Sequence, residues 1–464
     1  MIAGRKPASA LVADALATLR RHPRHLVLAS LVTGLLVAPL TPQVVLLTAL
    51  AAAALAGRPA LASLVAVAVL AGALGAQARL ATLDRTGLPP LSGTTVSARV
   101  VLLEQPHAVR YGHTALVQLR SLAGASAGAG ERVMLRIGQD IAWPTAATGA
   151  ILDVRGRLRA LGPFEQHYAR RGAHAAISLD AVAATGTARR GPMGFVDSIR
   201  TRAERALSVG LPQRQAALLR GMTLGQDEAL DERTREEFRV SSLAHVLAAS
   251  GQNVALLLAL ALPLLALAGL DLRGRLLGAL ALIALYVPLA GAGPSIQRAG
   301  VMGAATTIAA LAGRPASRWY ALLLAAAATL AFDPRASGDP GWQLSFAAVT
   351  TIALFAKPVA AALSARRVPR PVVDATAMSL AATLGTAPLL ALHFHQLSLV
   401  GVPANLLAAP AIAPITWLGM LAAALGQLSP HLAAPLNAVN AYLLAYVGAI
   451  AHIAASIPHA SIEV

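Results

Sequence analysis

The stretch Ser241-Ser242-Leu243-Ala244-His245-Val246-Leu247-Ala248-Ala249-Ser250-Gly251-Gln252-Asn253-Val254 sets serines, a histidine and two amides directly ahead of an unbroken apolar run over 254–262. Charged side chains at bilayer depth cost on the order of 2.5–3.5 kcal/mol on insertion scales, and polar groups gathered there normally face a bundle interior or a water-filled path. On a continuous helix over 243–269, Ser241, His245 and Gln252 fall close to one face, with Asn253 beside them. A break at Ser250-Gly251 would instead turn backbone carbonyls toward a cavity. The plainer alternative is a helix–helix contact made of small residues and polar glue.

Composition sets the class. The chain has 464 residues, 56% hydrophobic and 13% charged, whereas soluble domains carry about 25% charged residues. It reads as an integral membrane protein with one modest soluble domain. There is no cysteine, so neither a disulfide framework nor a thiolate metal site can form. The formal charge of +17 fits either a bias of basic loops toward the cytoplasm or a polyanionic substrate.

Working outward, residues 1–80 read as a basic cytoplasmic N-terminus (Arg5, Lys6, Arg20, Arg21, Arg24) followed by apolar segments near 26–40, 43–56 and 60–78. The first two are short against the ~20 residues needed to cross a bilayer. Residues 81–190 change character. Runs 95–103, 114–120, 132–137 and 151–158 mix β-formers with alternating polar positions, which predicts a small five-stranded barrel of the OB kind. Residues 191–240 alternate charge on a helical period and predict amphipathic surface helices, laid on the outer membrane surface and leading to the polar segment at 241. Residues 241–464 return to membrane spans at 243–269, 275–290, 296–312, 318–332, 341–357, 374–392, 399–426 and 437–457. The expected fold is therefore mainly α, a polytopic bundle of about 10–11 spans, some broken or re-entrant, with an inserted extracytoplasmic OB-like β domain. Placing that domain outside puts Arg58, Arg273, Arg275, Arg314, Arg318, Lys357, Arg366, Arg367 and Arg370 in loops on one side, the cytoplasmic side.

Three more polar clusters interrupt the bundle. Gly291-Ala292-Gly293-Pro294-Ser295-Ile296-Gln297-Arg298 opens a span with an arginine one turn inside it. Arg298 either snorkels to the interface or holds a phosphate bidentately. Asp339-Pro340-Gly341-Trp342-Gln343-Leu344-Ser345 opens another. His393, His395 and Gln396, followed by Gly401, Pro403 and Asn405, end one span and begin a Gly/Pro-interrupted stretch that suits a broken or re-entrant helix. The two histidines have no acidic or thiol partner nearby, so interface histidines explain them better than a metal pair. No P-loop, nucleophile elbow or zinc-hydrolase signature is present. Neither catalysis, a cofactor nor a metal is expected, and the chain cannot be its own ATP motor.

Taken in order, these clusters resemble the ComEC-type competence family of DNA-internalisation membrane channels. The resemblance is carried by Leu218-Leu-Arg-Gly-Met-Thr-Leu-Gly225, His245-Val-Leu-Ala-Ala-Ser-Gly-Gln-Asn-Val254, Pro294-Ser-Ile-Gln-Arg-Ala-Gly300, Asp339-Pro-Gly-Trp-Gln-Leu-Ser-Phe-Ala-Ala348 and Gly385-Thr-Ala-Pro-Leu-Leu390. Upstream, Gln166-His-Tyr-Ala-Arg-Arg-Gly-Ala-His174 looks like the end of the family's extracytoplasmic domain, so the resemblance spans about 26–460. It implies a channel in the cytoplasmic membrane that passes single-stranded DNA inward during transformation. His245, Ser250, Asn253, Ser295 and Arg298 match pore-motif positions, and Gln252, Gln343 and Ser345 join them on the expected translocation path. His393, His395, Gln396 and Asn405 are expected near the pore or a re-entrant segment.

The implied partners are single-stranded DNA, a DNA receptor, a helicase-like motor and the lipid bilayer. The family's Ser-Gly-Leu-His reads Ser250-Gly251-Gln252-Asn253 here, which loses a titratable ring. Many members continue into a metallo-β-lactamase-like domain. This sequence stops at Val464, just past its last apolar run, so a nuclease of that kind is expected to be a separate protein or absent. Two other functions fit a polar interior: a permease for a smaller anionic solute, and a non-transporting membrane scaffold.

Overall fold

A computed structural model describes residues 22–109, 112–123, 128–247, 249–364 and 369–464. The basic residues Arg5, Lys6, Arg20, Arg21, Arg366 and Arg367 lie outside these. In chain order the helices and strands are α1 (Pro23–Val37), α2 (Pro42–Ala56), α3 (Pro59–Leu83), β1 (Thr95–Leu102), β2 (His107–Val109), β3 (Gly112–Leu122), β4 (Arg132–Ile137), β5 (Ala150–Arg159), α4 (Gln166–Arg170), β6 (Ala173–Ala188), α5 (Pro192–Ala206), α6 (Gln213–Leu224), α7 (Glu232–Val240) and α8 (Ala244–Leu247). They continue with α9 (Gly251–Leu267), α10 (Leu272–Leu289), α11 (Pro294–Leu311), α12 (Arg318–Phe332), α13 (Pro340–Leu363), α14 (Arg370–Phe394), β7 (Gln396–Ser398), α15 (Gly401–Leu425), α16 (Ala434–Ser456) and β8 (Ser461–Glu463).

The chain divides into two compact units, residues 1–85, 271–280 and 297–338 in one and 86–270, 281–296 and 339–464 in the other. In the first, α1, α2 and α3 each begin with a proline at the first helical position, where its missing N–H is not needed. α1 and α3 approach backbone to backbone. A Cβ added to Gly34 would lie 2.0 Å from Val69 O, and one on Gly72 would lie 2.4 Å from Leu31 O. α12 packs on α1, and His25 Nε2 hydrogen-bonds Ser317 Oγ at 3.0 Å. Arg79 Nε donates to Phe332 O at 2.9 Å, and Arg335 pairs with Asp84.

In the second unit, the four predicted strand runs form, and β6 adds a fifth long strand that the Ala-rich sequence 173–188 concealed. β1 pairs antiparallel with both β3 and β5, β5 with β6 antiparallel, β6 with β4 parallel, and β4 with β3 antiparallel. The pairings thus run round and return to β1. Alternating inward positions, among them Val100, Val117, Val133, Leu135, Leu152 and Ile177, make one apolar core. Tyr168 of α4 seals a smaller cluster around Met134, its hydroxyl 2.7 Å from Thr114 Oγ1.

Six helices among the described residues are long and apolar enough to cross a membrane: α3, α10, α13, α14, α15 and the run Pro430–Ser456 that contains α16. The apolar helices α1, α2, α9 and α12 are shorter. This is fewer full-length spans than the 10–11 expected, and the difference has identifiable causes. The segment 243–269 is not one helix. α8 ends at Leu247, Ser250 is extended with φ −91° and ψ 167°, and α9 begins at Gly251.

The stretch 399–426, expected to be broken or re-entrant, is a single 25-residue helix, α15, with Pro410 and Pro414 inside it. A proline forfeits one ladder bond and crowds the preceding turn, but a stripe of small residues outweighs that here. Gly401, Ala404, Ala408, Ala411, Gly419 and Ala422 are buried at helical spacing, and they let α15 pack closely against α6, α9, α14 and α16.

α6, expected on the surface, is buried from Ala216 through Leu219 and from Gly221 through Leu224. Its charges sit at Arg214 and Arg220, and the apolar remainder fills the space between α15 and α16.

Candidate functional site

The site is built where α9 begins. Ser242 has a left-handed φ of 62°, which turns the chain sharply between α7 and α8. Gly401 opposes it, since a Cβ there would lie 2.7 Å from Ser242 Cβ. The end of α6 meets the next stretch through two further glycines. A Cβ on Gly221 would lie 2.5 Å from Leu247 O, and Gly225, with φ 72°, would place one 3.2 Å from Ala249 Cβ. Those contacts account for the spacing of glycines in Leu218–Gly225. A bulkier residue at either position would push α6 off the backbone just upstream of α9.

Ser250 caps α9 by accepting from Gln252 N at 3.3 Å. The next backbone amide, Gly251 N, donates to Ser295 Oγ at 3.2 Å. Ser345 Oγ in turn donates to Ser295 Oγ at 3.0 Å. Thus α9, the residue Ser295 at the start of α11, and α13 meet through two half-buried hydroxyls and one helix-end amide. On α13 two residues before Ser345, Gln343 Oε1 lies 2.8 Å from His393 Nε2, which joins α13 to α14. The arrangement is a seam of neutral donors and acceptors.

Asn253 does something different. It is buried, and its Nδ2 donates to Met222 O at 2.6 Å and Tyr286 OH at 3.1 Å. Tyr286 OH donates to Thr223 O at 2.7 Å. One amide and one phenol therefore satisfy carbonyls at the end of α6 and fasten it to α9 and α10. Sequence reasoning passed over Tyr286. The signal was a lone phenol in an otherwise apolar run, whose polar tip must find a partner when buried. Trp417, also overlooked, ties α15 to α9 by donating from Nε1 to Leu256 O at 2.9 Å.

The predicted residues therefore separate. Ser250, Asn253, Ser295 and Ser345 gather round the start of α9, with Gln343 two residues before Ser345 on α13 and His393, at the end of α14, hydrogen-bonded to Gln343. His245 and Gln252 have exposed side chains, and His245 Nδ1 lies 3.0 Å from Ser242 O. Arg298 is buried on α11, one turn beyond Ser295. His395 caps α14 in a left-handed conformation, φ 52°. Gln396 belongs to β7, where its Nε2 donates to Ser461 Oγ of β8 at 2.9 Å. Asn405 is half-buried in the first turns of α15, a regular helix rather than a re-entrant segment. Among the described residues no group of three or more His, Asp or Glu is placed to hold a metal ion.

Buried polar contacts between apolar helices, six of them long enough to span a bilayer, define a polytopic helical protein consistent with membrane residence. The model of the competence protein family matches residues 222–464, just over half of the chain, and the chain belongs to that family. The match begins at Met222, within the glycine-spaced end of α6, and takes in all four polar clusters. The sheet and α1–α3 lie outside it.

Two curated relatives are similar. ComE operon protein 3 of Bacillus subtilis (strain 168) is 28% identical over 200 residues, 43% of this chain and 25% of the relative. The uncharacterized protein YcaI of Escherichia coli (strain K12) is 31% identical over 224 residues, 46% of this chain and 29% of the relative. The chain spans less than a third of either relative in these matches. No solved structure matches it.

Proposed function

We propose that this chain forms a conduit for single-stranded DNA across the cytoplasmic membrane, serving DNA uptake. The observation that carries the reading is the seam from Gly251 N through Ser295 to Ser345, with Gln343 two residues before Ser345 and hydrogen-bonded to His393. Neutral hydrogen-bonding groups at helix ends suit a polar cargo that must pass without base-specific readout. Arg298, one turn along the same helix from Ser295, is buried, and a guanidinium's planar fork matches a phosphate. Membership of the competence family supports a role in DNA uptake.

In this reading the sheet is an extracytoplasmic OB-like barrel. Its five long strands follow the order first, second, third, fifth, fourth and back to first, with the third and fifth parallel, as a five-stranded Greek-key barrel requires. The N-terminus is cytoplasmic. A DNA receptor delivers the strand, and a helicase-like motor supplies the work.

The test follows labelled DNA into a nuclease-protected cytoplasmic state in a deletion strain. The strain is complemented with wild type, Arg298→Ala, Gln343→Ala or His245→Ala at matched protein levels. Losing a conduit contact slows entry by roughly tenfold or more, the equivalent of ~1.4 kcal/mol on the barrier, for Arg298→Ala and Gln343→Ala, with surface binding of DNA retained. Normal entry in the deletion strain overturns the reading. Saturable uptake of a small anion without DNA would then favour the permease. Tolerance of all three substitutions alongside sensitivity to changes on the sheet surface would favour the scaffold.

A further inference from the structure

α5 is fastened along one side and bare along the other. On the fastened side Val196, Ala203 and Ala206 are buried. Asp197 is paired with Arg189 at 2.5 Å, and Arg200 donates to the carbonyls of Leu289 and Pro288 at 3.1 and 2.6 Å. The bare side carries Phe195, 62% exposed, with Met193 exposed nearby. Arg202 and Arg205 are exposed on the same helix, and Arg190 is exposed just before it. Neither Arg202 nor Arg205 forms an ion pair among the described residues.

The level at which α5 lies is set by what holds it. Gln427 Nε2 donates to Ile199 O at 3.2 Å, and Asn437 Nδ2 donates to the carbonyls of Ala206 and Val209 at 2.8 Å each. A Cβ on Gly426 would sit 2.2 Å from Ala206 Cβ. Residues 426–433 join α15 to α16, two apolar runs that are each long enough to span a bilayer. A connection between consecutive spans lies at a membrane face. Its own side chains agree: Leu428 is 81% exposed and Leu432 is exposed too, as they would be where lipid covers them. Whatever is hydrogen-bonded along that loop sits at headgroup depth.

We propose that α5 is an interfacial helix, with Phe195 seated at the boundary between headgroups and acyl chains and the phosphates of anionic phospholipids against Arg202 and Arg205. Arg202 donates to Ser198 of its own helix at 3.3 and 3.4 Å, and a large apolar side chain beside arginines without a carboxylate partner is the combination that binds at this depth. The ring supplies buried area and the guanidinium groups remain among the headgroups, drawn there by the negative surface of anionic lipid. The inference rests on α15 and α16 spanning the bilayer and holds whatever the conduit carries.

Because the chain has no cysteine, Phe195→Cys provides a single site for a nitroxide. The full-length protein is reconstituted in phosphatidylglycerol vesicles and separately in phosphatidylcholine vesicles. Relaxation by oxygen, which partitions into lipid, is compared with relaxation by a water-soluble nickel chelate. Leu428→Cys reports the depth of the α15–α16 loop, and Gln139→Cys, in the exposed turn after β4, is the aqueous reference.

The oxygen-to-nickel ratio at position 195 is expected to be severalfold above that at 139, close to that at 428, and higher in phosphatidylglycerol. Adding Arg202→Glu and Arg205→Glu moves the 195 label outward in phosphatidylglycerol and leaves 428 unchanged. Arg202→Lys with Arg205→Lys keeps it in place. An aqueous ratio at 195 with a lipidic one at 428 overturns the proposal while leaving the membrane placement intact. Aqueous ratios at both positions overturn that placement as well. Unchanged depth in the glutamate variants, together with lost retention of oligothymidylate, overturns it in favour of a nucleic-acid surface.

Discussion

The sheet over 95–188 and the helices around the start of α9 handle polarity in opposite ways. In the sheet the main core is built of apolar side chains, and charges pair on the outside, as in Arg99 with Asp153 at 2.8 Å and Arg159 with Glu165 at 2.5 Å. In the helical part the buried groups include Asn253, Ser241 and Asn437, while Leu384, Leu392 and Tyr442 face outward. Water solvates the first region on every side that is not core. Lipid can cover the second, so an exposed leucine carries no penalty there and a buried amide must find a carbonyl. The difference teaches that burial of an apolar side chain measures stability in the sheet and says little about it in α13 and α14.

That contrast can be broken most directly with two leucines. Leu152 is fully buried in the sheet core, so Leu152→Ala is expected to cost about 2–5 kcal/mol through lost transfer energy and the cavity left behind. Leu392 is 66% exposed on α14, and Leu392→Ala is expected to fall within about 0.5 kcal/mol of wild type. Denaturant or thermal unfolding of the purified protein, followed by tryptophan emission and by circular dichroism, measures both. Equal costs would mean that α14's outer face packs against protein rather than lipid.

The same contrast explains what the residues disclosed. Alternation in β1, β3, β4 and β5 is a local signal, because an inward-facing core residue and an outward-facing charge occupy neighbouring positions. β6 hid because its alanines carry the alternation only weakly. In the helical part the apolar runs were legible and their ends were not. Ser250-Gly251 was seen to be capable of breaking a helix, yet only the acceptor Ser295 Oγ, 44 positions away, makes the break fit. Pro410 and Pro414 pointed to a broken helix, and the small-residue stripe that keeps α15 whole is visible only once α6, α9, α14 and α16 are packed against it. His245 and Gln252 looked equivalent to Asn253 on a helical wheel. Their partners separate them, and partners across the fold are not written in a local pattern.

Asn253 sharpens the comparison at intermediate size. Asn253→Ala leaves Met222 O and Tyr286 OH without the donor they share, and a buried polar group left unsatisfied costs about 1–3 kcal/mol. Tyr286→Phe removes the hydroxyl that donates to Thr223 O, and about 1 kcal/mol is expected. Because both residues belong to one network, the double variant should cost less than the sum of the singles. The coupling energy is expected to be at least about 0.5 kcal/mol. Strict additivity would show that the two act separately, and α6 would then be held by packing alone.

A smaller, pH-dependent effect belongs to the loop where β2 begins. His107 lies 3.7 Å from Glu104, which also accepts from Arg171 Nη1 at 3.2 Å. Burial pushes the Glu104 carboxyl up, yet the nearby His107 imidazole and the charge and hydrogen bond of Arg171 outweigh it and hold the group below its ordinary value of about 4.5. Glu104 raises His107 above its ordinary 6.5 against the opposing effect of burial, with Glu228 and Asp227 adding to it. Glu228 is itself pushed up by burial.

The depressed carboxylate stabilises the fold above its unfolded value, and that share is lost as pH falls through the folded one. The raised histidine stabilises it below about 6.5, and that share is lost as pH rises through the folded value. The unfolding temperature of wild type minus that of His107→Gln should therefore peak between about pH 4.5 and 6.5 and shrink on either side. A flat difference would mean that the imidazole acts there by packing and not by charge.

Ser345→Ala should change stability least and is the most telling about function. Its hydroxyl is half-buried, and Ser295 Oγ, to which it donates, also accepts from Gly251 N, so removing it leaves Ser295 still engaged. A hydroxyl that is only structural would cost about 1 kcal/mol and leave transport untouched, the usual balance for a protein hydrogen bond. A hydroxyl lining a wetted path is already partly solvated. Its loss would then cost less than ~0.5 kcal/mol, because water replaces the bond, while nuclease-protected DNA entry falls. The decisive quantity is therefore the ratio of the two effects. A large stability loss with normal entry would join Ser345 to Asn253 as part of the frame. Normal stability with impaired entry would place the seam on the path itself and divide the helical region into a frame fastened through Asn253 and Tyr286 and a lining that begins at Ser295.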